Sequence, residues 1–250
     1  MREQERIWGE DYVRLRNTAL RRALVDLAPI RGRVLEVGCG AGRFIRTIAR
    51  SRPDLWACGC DLSVEAVRRG RRYGDAVRFA AADLRALPYA SECFDAVVLF
   101  DVLEHLADPA AGLAEIYRVL RRGGLLHALV PCEGQPLTLH WLLWKLNLAG
   151  DLKERHGAHV QRFTQEDLIA LLHSQGFVIN RLRFSMHPLG QLRDILTYLA
   201  CEPWFARWHL DNLIYRILMG ALWVAAYGES ALLGRMGAFA VVTHVTAIRK

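Results

Sequence analysis

With 250 residues, the chain is long enough for one complete α/β domain and a small appended lobe. Its 52% hydrophobic and 24% charged residues exclude a disordered chain. The net charge of +7 is almost all arginine, lysine occurring only at Lys145, Lys153 and Lys250; no five or six basic residues run together and no nucleic-acid motif is present, so no nucleic-acid partner is expected.

The first ten residues are charged and lack an apolar signal core, which points to a cytoplasmic protein. Over residues 3–28, Trp8, Tyr12, Leu15, Ala19, Ala23 and Leu27 recur at three- and four-residue steps, the pattern of an amphipathic helix that Pro29 and Gly32 end. From residue 33, short apolar runs alternate with helical patterns. Strands are predicted at 34–37, 55–60, 77–81, 94–100 and 125–130, and helices at 43–50, 64–72 and 109–120. Near-continuously apolar strands in a βαβ rhythm imply a parallel sheet covered on both faces.

Beyond Pro131 the rhythm breaks. Residues 136–149 are rich in Trp and Leu. Thr164, with Asp167 three residues on, forms a variant capping box for a helix over 165–175 that Gly176 ends. A sixth strand (177–184), a long mostly helical stretch (188–235) and a β-branched run (238–248) that reads as a last strand complete the chain. The domain plan is an N-terminal helix (1–32), a core (33–185) with a lid segment (132–163), a helical insert serving as substrate cap (186–236), and a final strand (237–250). The apolar run over 214–227 contains Arg216 and is too short to span a bilayer. The six cysteines are scattered through apolar runs and read as free thiols.

The first strand runs into a turn containing Glu36, Gly38, Cys39, Gly40 and Gly42. Glycines let a backbone bend tightly and approach a ligand without Cβ interference. Such a turn, at the carboxyl edge of a parallel sheet, is where cofactors bind. The dinucleotide fingerprint is GxGxxG, whereas here the spacing is GxGxG with an acidic residue on the strand before it. A carboxylate there would repel a pyrophosphate and favour a cationic group, such as the amine of a methionine moiety. Asp61 ends the second strand and can accept from both ribose hydroxyls. Asp83 follows the third strand and can take an adenine amino group, with Leu62 and Leu84 on either side of the ring. The fourth strand brings Phe100 and the segment Asp101 to Leu106, which includes Leu103 and His105, to the same edge.

The stretches VLEVGCGAGRF, GCDLS, AADL, FDAVVLFDVLEHLADP and LRRGGLLHALVP, in this order, resemble the class I S-adenosylmethionine (SAM)-dependent methyltransferases, particularly the family that includes the ubiquinone-biosynthesis O-methyltransferases. The resemblance covers residues 33–131. It implies a Rossmann-like α/β fold with a seven-stranded, mostly parallel sheet whose last strand is antiparallel. It also implies SAM as cofactor and a small-molecule acceptor.

His105 is the candidate general base, since a histidine titrates near neutrality. His140, His156 and His159 are further candidates. No Cys or carboxylate stands at metal-ligand spacing from His156 and His159, and no metal is expected. Trp, Leu and Met are concentrated in 132–163 and 186–236, which suggests a lipophilic or aromatic acceptor and peripheral contact with a membrane surface. Methylation at oxygen is the leading reading. A nitrogen or carbon acceptor, or a non-catalytic SAM-fold binding module, are the alternatives.

Overall fold

The computed structural model describes residues 17–148, 157–202 and 213–250. Trp8, Tyr12 and Leu15 of the expected N-terminal helix, His156 of the lid, and Trp204 and Trp208 of the insert lie outside the described residues.

The described chain begins with α1 (Thr18–Asp26), whose first turn is closed by the Asn17 side chain accepting from Leu20 N–H. Then follow β1 (Gly32–Val37), α2 (Arg43–Ser51), β2 (Leu55–Asp61), α3 (Val64–Arg72), β3 (Arg78–Ala81) and β4 (Phe94–Phe100). A 3₁₀ turn, Leu103–His105, leads to α4 (Pro109–Val119), which starts on Pro109 with Asp108 capping Ala111 N–H. The chain continues through β5 (Leu120–Pro131), α5 (Leu139–Lys145), α6 (Gln165–Ser174), β6 (Phe177–Ser185), α7 (Pro188–Leu199), α8 (Leu213–Leu233) and β7 (Val242–Arg249).

The strands form one seven-stranded sheet in the order β3-β2-β1-β4-β5-β7-β6. The pairs β1·β2, β1·β4, β2·β3 and β4·β5 are parallel, and the last strand is antiparallel. The chain starts at β1, winds outward to β3, then returns to β4 on the other side. This reversal between β1 and β4 is the switch point at which open α/β sheets leave a crevice. All seven residues of β4 are buried, Asp95 included.

Two strand boundaries differ from the sequence reading. β5 begins at Leu120 rather than 125, because Leu120 pairs with Phe94 and a register shift near Ala96 absorbs the intervening Arg-Arg-Gly-Gly. β7 begins at Val242 rather than 238. The carbonyls of Gly237 and Ala240 are instead taken by the Gln165 side-chain amide. The expected helical stretch over 188–235 consists of α7 and α8, and the thirteen residues between them are only partly described.

Two compact units divide the chain: residues 1–130, 169–181 and 244–250 in one, and residues 131–168 and 182–243 in the other. In the first, Asp26 at the end of α1 is buried against the sheet. Its Oδ2 accepts from Thr246 Oγ1 at 2.7 Å and lies 2.8 Å from His127 Nδ1, tying α1 to β5 and β7. In the second, the Thr164–Asp167 capping box forms in both directions, Thr164 N–H donating to Oδ2 and Asp167 N–H to Oγ1. Gln191 of α7 is its buried hub. Its Oε1 accepts from Leu139 N–H, and its Nε2 donates to the carbonyls of Met186 and Phe239. Beside it, His140 Nε2 lies 3.2 Å from Asp194 Oδ2.

Leu99, fully buried near the carboxyl end of β4, is the test of the first unit's core. Leu99→Ala is expected to lower unfolding free energy by about 2–5 kcal/mol, read as a lower urea midpoint with an unchanged m-value.

Candidate active site

The carboxyl ends of β1, β2 and β3 lie side by side, Val37 pairing with Cys60 and Asp61 with Ala81. This brings Glu36, Asp61 and the Asp83 loop to one edge of the sheet. Ala82 N–H donates to Asp61 O at 2.9 Å, so Asp83 begins one residue beyond that contact.

Asp61 organises the edge. Its Oδ2 accepts from Gly40 N–H at 2.7 Å and its Oδ1 from Ser63 N–H at 2.8 Å. Ser63 in turn caps α3 by accepting from Ala66 N–H. One carboxylate therefore fixes both the glycine turn after β1 and the loop after β2.

The three glycines of the turn do different work. A Cβ on Gly38 would strike Val102, and one on Gly42 would strike the Phe79 ring. Those two glycines are required by packing. A Cβ on Gly40 would meet no atom within 4 Å. Gly40 thus faces open space, which is the surface a ligand can reach. Cys39 contributes only its backbone, since its buried thiol packs where Gly59 leaves room and burial pushes its pKa well up.

Glu36 is buried, and its Oε2 accepts from Ile45 N–H in the first turn of α2 at 2.7 Å. It therefore serves as a helix cap as well as a strand-end carboxylate. Burial pushes its carboxyl from the ordinary 4.5 up to about 8, with the Ile45 hydrogen bond and Arg43 opposing the shift and Asp61 adding to it. Asp83 is different. Hydrogen bonds from the Arg85 side chain and backbone hold it at about 2, as a partly exposed carboxylate. Arg85 Nη2 sits 2.7 Å from Asp83 Oδ2, so an adenine amino group would share this carboxylate with Arg85.

Leu62 is 74% exposed at the edge, whereas Leu84 is packed beside Gly112 and Leu106. Phe100 is stacked on Phe44 with ring centroids 4.1 Å apart. Leu103 is fully buried and offers no side-chain surface to a ligand. His105 retains about a third of its exposure, with Nε2 3.8 Å from Oε1 of the fully buried Glu104.

Residues 35–128 match the family described as methyltransferase domain. Residues 35–128 are therefore a methyltransferase domain. Over 132 residues, half of this chain and 56% of the relative, it is 37% identical to a demethylmenaquinone methyltransferase of Roseiflexus castenholzii. Over 95 residues, 37% of this chain and 34% of the relative, it is 36% identical to a malonyl-[acyl-carrier protein] O-methyltransferase of Hahella chejuensis. The chain spans about half the length of the first curated relatives it matches. A solved structure of geranyl diphosphate methyltransferase in complex with SAM shares the fold, with a TM-score of 0.59 and 16% identity, covering 92% of this chain and 84% of that one.

Two further residues of the methyltransferase domain enter the site: Arg43, not singled out in the sequence, and Asp101, named there only as the start of the segment after the fourth strand. Arg43 follows the glycine turn at the start of α2. Its pKa is lowered by burial, against the pull of the Asp101 and Glu36 carboxylates. Asp101, immediately after β4, has a φ of 54°, a left-handed conformation uncommon for a residue with a side chain. The sequence signal was available for both: an arginine directly after the last turn glycine, and an aspartate directly after the fourth strand.

Glu36 makes a pH prediction for the methyltransferase domain. Its folded pKa lies above its unfolded one, so its contribution to stability is complete below about pH 4.5 and is lost as pH rises through about 8. Glu36→Gln keeps an acceptor for Ile45 N–H and cannot ionise. Urea unfolding across this window should show a decline in the native protein that is absent in the variant, with the variant the more stable of the two at the alkaline end.

Proposed function

We propose that this protein transfers a methyl group from SAM to the oxygen of a small lipophilic or aromatic acceptor, met at a membrane surface. The observation that carries the reading is the open space over Gly40 in a turn held by Asp61. It leaves a bare patch of backbone beside two carboxylates, at the switch point of a parallel sheet.

The chain's polar groups suit such a cofactor. Asp61 keeps lone pairs beyond its two backbone contacts for the ribose hydroxyls. Asp83, ionised throughout the neutral range, accepts from the adenine amino group, with Leu62 against the ring. Gly38, Cys39, Gly40 and Gly42 offer backbone to the methionine portion. Glu36 holds the turn by its cap on α2 and supplies carboxylate character near a cationic amine, which in turn favours its ionised form. Arg43, at the start of α2, is placed to meet a carboxylate. When bound, SAM supplies a methyl already activated on a sulfonium, so the protein's part is largely to hold the acceptor oxygen close and in line. His105, beside Glu104, is the group that takes the acceptor's proton.

The oxygen acceptor is supported by the O-methyltransferase among the relatives. Lipophilicity is supported by the second unit, which holds 17 of the 23 exposed large hydrophobic residues described.

Calorimetric titration tests the cofactor. SAM should bind with micromolar affinity and NADH should not. Gly40→Arg, which projects a long side chain into open space, and Asp61→Ala, which removes the ribose acceptor, should each abolish SAM binding. NADH binding in place of SAM would overturn the proposal. For the base, His105→Gln should lower kcat by about 100-fold or more while leaving the SAM Kd unchanged, and undiminished turnover would remove His105 from the mechanism.

A further inference from the structure

We infer that the outer face of α8 is a docking surface for an anionic lipid bilayer, on which the helix lies in the plane of the headgroups. The inference shares with the proposed function only the idea of a membrane-borne acceptor, and it rests on the second unit alone.

A helix packed against one neighbour needs one apolar stripe. α8 has two. Its inner stripe faces α7: Tyr215 Oη donates to Leu196 O at 3.2 Å, Ala226 lies beside Gly190, and Glu229 accepts from the N–H groups of Leu189 and Gly190 at the start of α7. The outer stripe is apolar too and open to solvent. Ile214 is 75% exposed, Ile217 62%, Val224 63% and Leu232 86%. These positions recur at helical steps, so their side chains form one continuous face rather than scattered surface residues. Burying both stripes takes a second apolar phase.

The charges beside that face select the phase. On α5, α7 and α8 the exposed charged residues are Lys145 and Arg216, and Arg235 follows just after α8. The acids of the same helices are each engaged by other groups of the unit. Asp194 is buried beside His140, and Glu229 is engaged by α7. An apolar face with the exposed Arg216 on its own helix and Arg235 just beyond it, the exposed charges of the described residues there, complements acyl chains beneath anionic headgroups. Trp144 and Trp223, 41% and 44% exposed, are the amphipathic side chains that such an interface favours. At 21 residues α8 is about 31 Å long. No described helix is long and apolar enough to cross a membrane, so the geometry is one of lying on the surface.

The test is flotation of the full-length protein, without cofactor or acceptor, on vesicles of phosphatidylcholine alone and of phosphatidylcholine mixed with phosphatidylglycerol. The protein should float with the mixed vesicles, be released by high salt, and stay with the soluble fraction when the vesicles are uncharged. Ile217→Ser with Val224→Ser should lower the partition coefficient by about a hundredfold, with unchanged thermal unfolding because both side chains point outward. Should that variant unfold, quenching of the native protein's tryptophans by brominated acyl chains decides, and its absence overturns the inference. Absence of flotation on either vesicle, or equal flotation on both, overturns it as well. So does sedimentation as a dimer that the double substitution dissociates, since a second copy would then cover the face. None of these outcomes bears on SAM binding, which is read separately.

Discussion

The Asp61 carboxylate is the constraint on which the site depends. A glycine-rich turn is, by composition, the least ordered part of a chain, and left alone it would sample many conformations. Asp61 removes that freedom from across the sheet by accepting from Gly40 N–H, while its other oxygen accepts from Ser63 N–H. Hydrogen bonds to an ionised acceptor are worth about 1.5–3 kcal/mol each, enough to hold two loops whose own packing is slight. The turn is therefore organised before a ligand arrives, and the residue that organises it is the one proposed to receive the sugar.

The same economy applies to Glu36. A buried carboxylate is costly, and its pKa rises to about 8 in consequence. That cost is partly offset by the cap it provides to α2. If Glu36 meets a cationic ligand as proposed, binding would favour its ionised form, and ligand binding and proton release would be linked through it. Asp83 carries no such burden, because its partner Arg85 is close and solvent is near. The two carboxylates thus have environments that separate their titrations widely, although they stand at one edge of the sheet.

The second unit has a different physical character. Gln191 and the His140–Asp194 pair are enclosed within it, while apolar residues are displayed along α8. That display of aliphatic side chains is what the inferred docking on a bilayer rests on. The first unit follows the ordinary rule, with β4 wholly buried at its centre.

Much of the molecule was legible in the amino-acid order alone. The βαβ rhythm, the caps at Thr164 and Pro109, and the spacing of Glu36, Gly38, Gly40 and Gly42 are local patterns, and local patterns survive in sequence because hydrophobic period and turn chemistry act over a few residues. What only the folded chain decided was every relation across long separations. Asp26 meets His127 and Thr246, which lie 101 and 220 residues away, and no periodicity foretells that. The division of labour among the turn glycines was likewise hidden, because it depends on Val102 and Phe79, which arrive from other elements. So was the burial of Leu103, a residue whose position in the motif suggested the crevice but whose side chain the packing of the core claims. The two apolar stripes of α8 could be counted in the sequence. Which of them would be covered depended on where α7 came to lie, and that is set by packing between elements rather than by the order of residues within one.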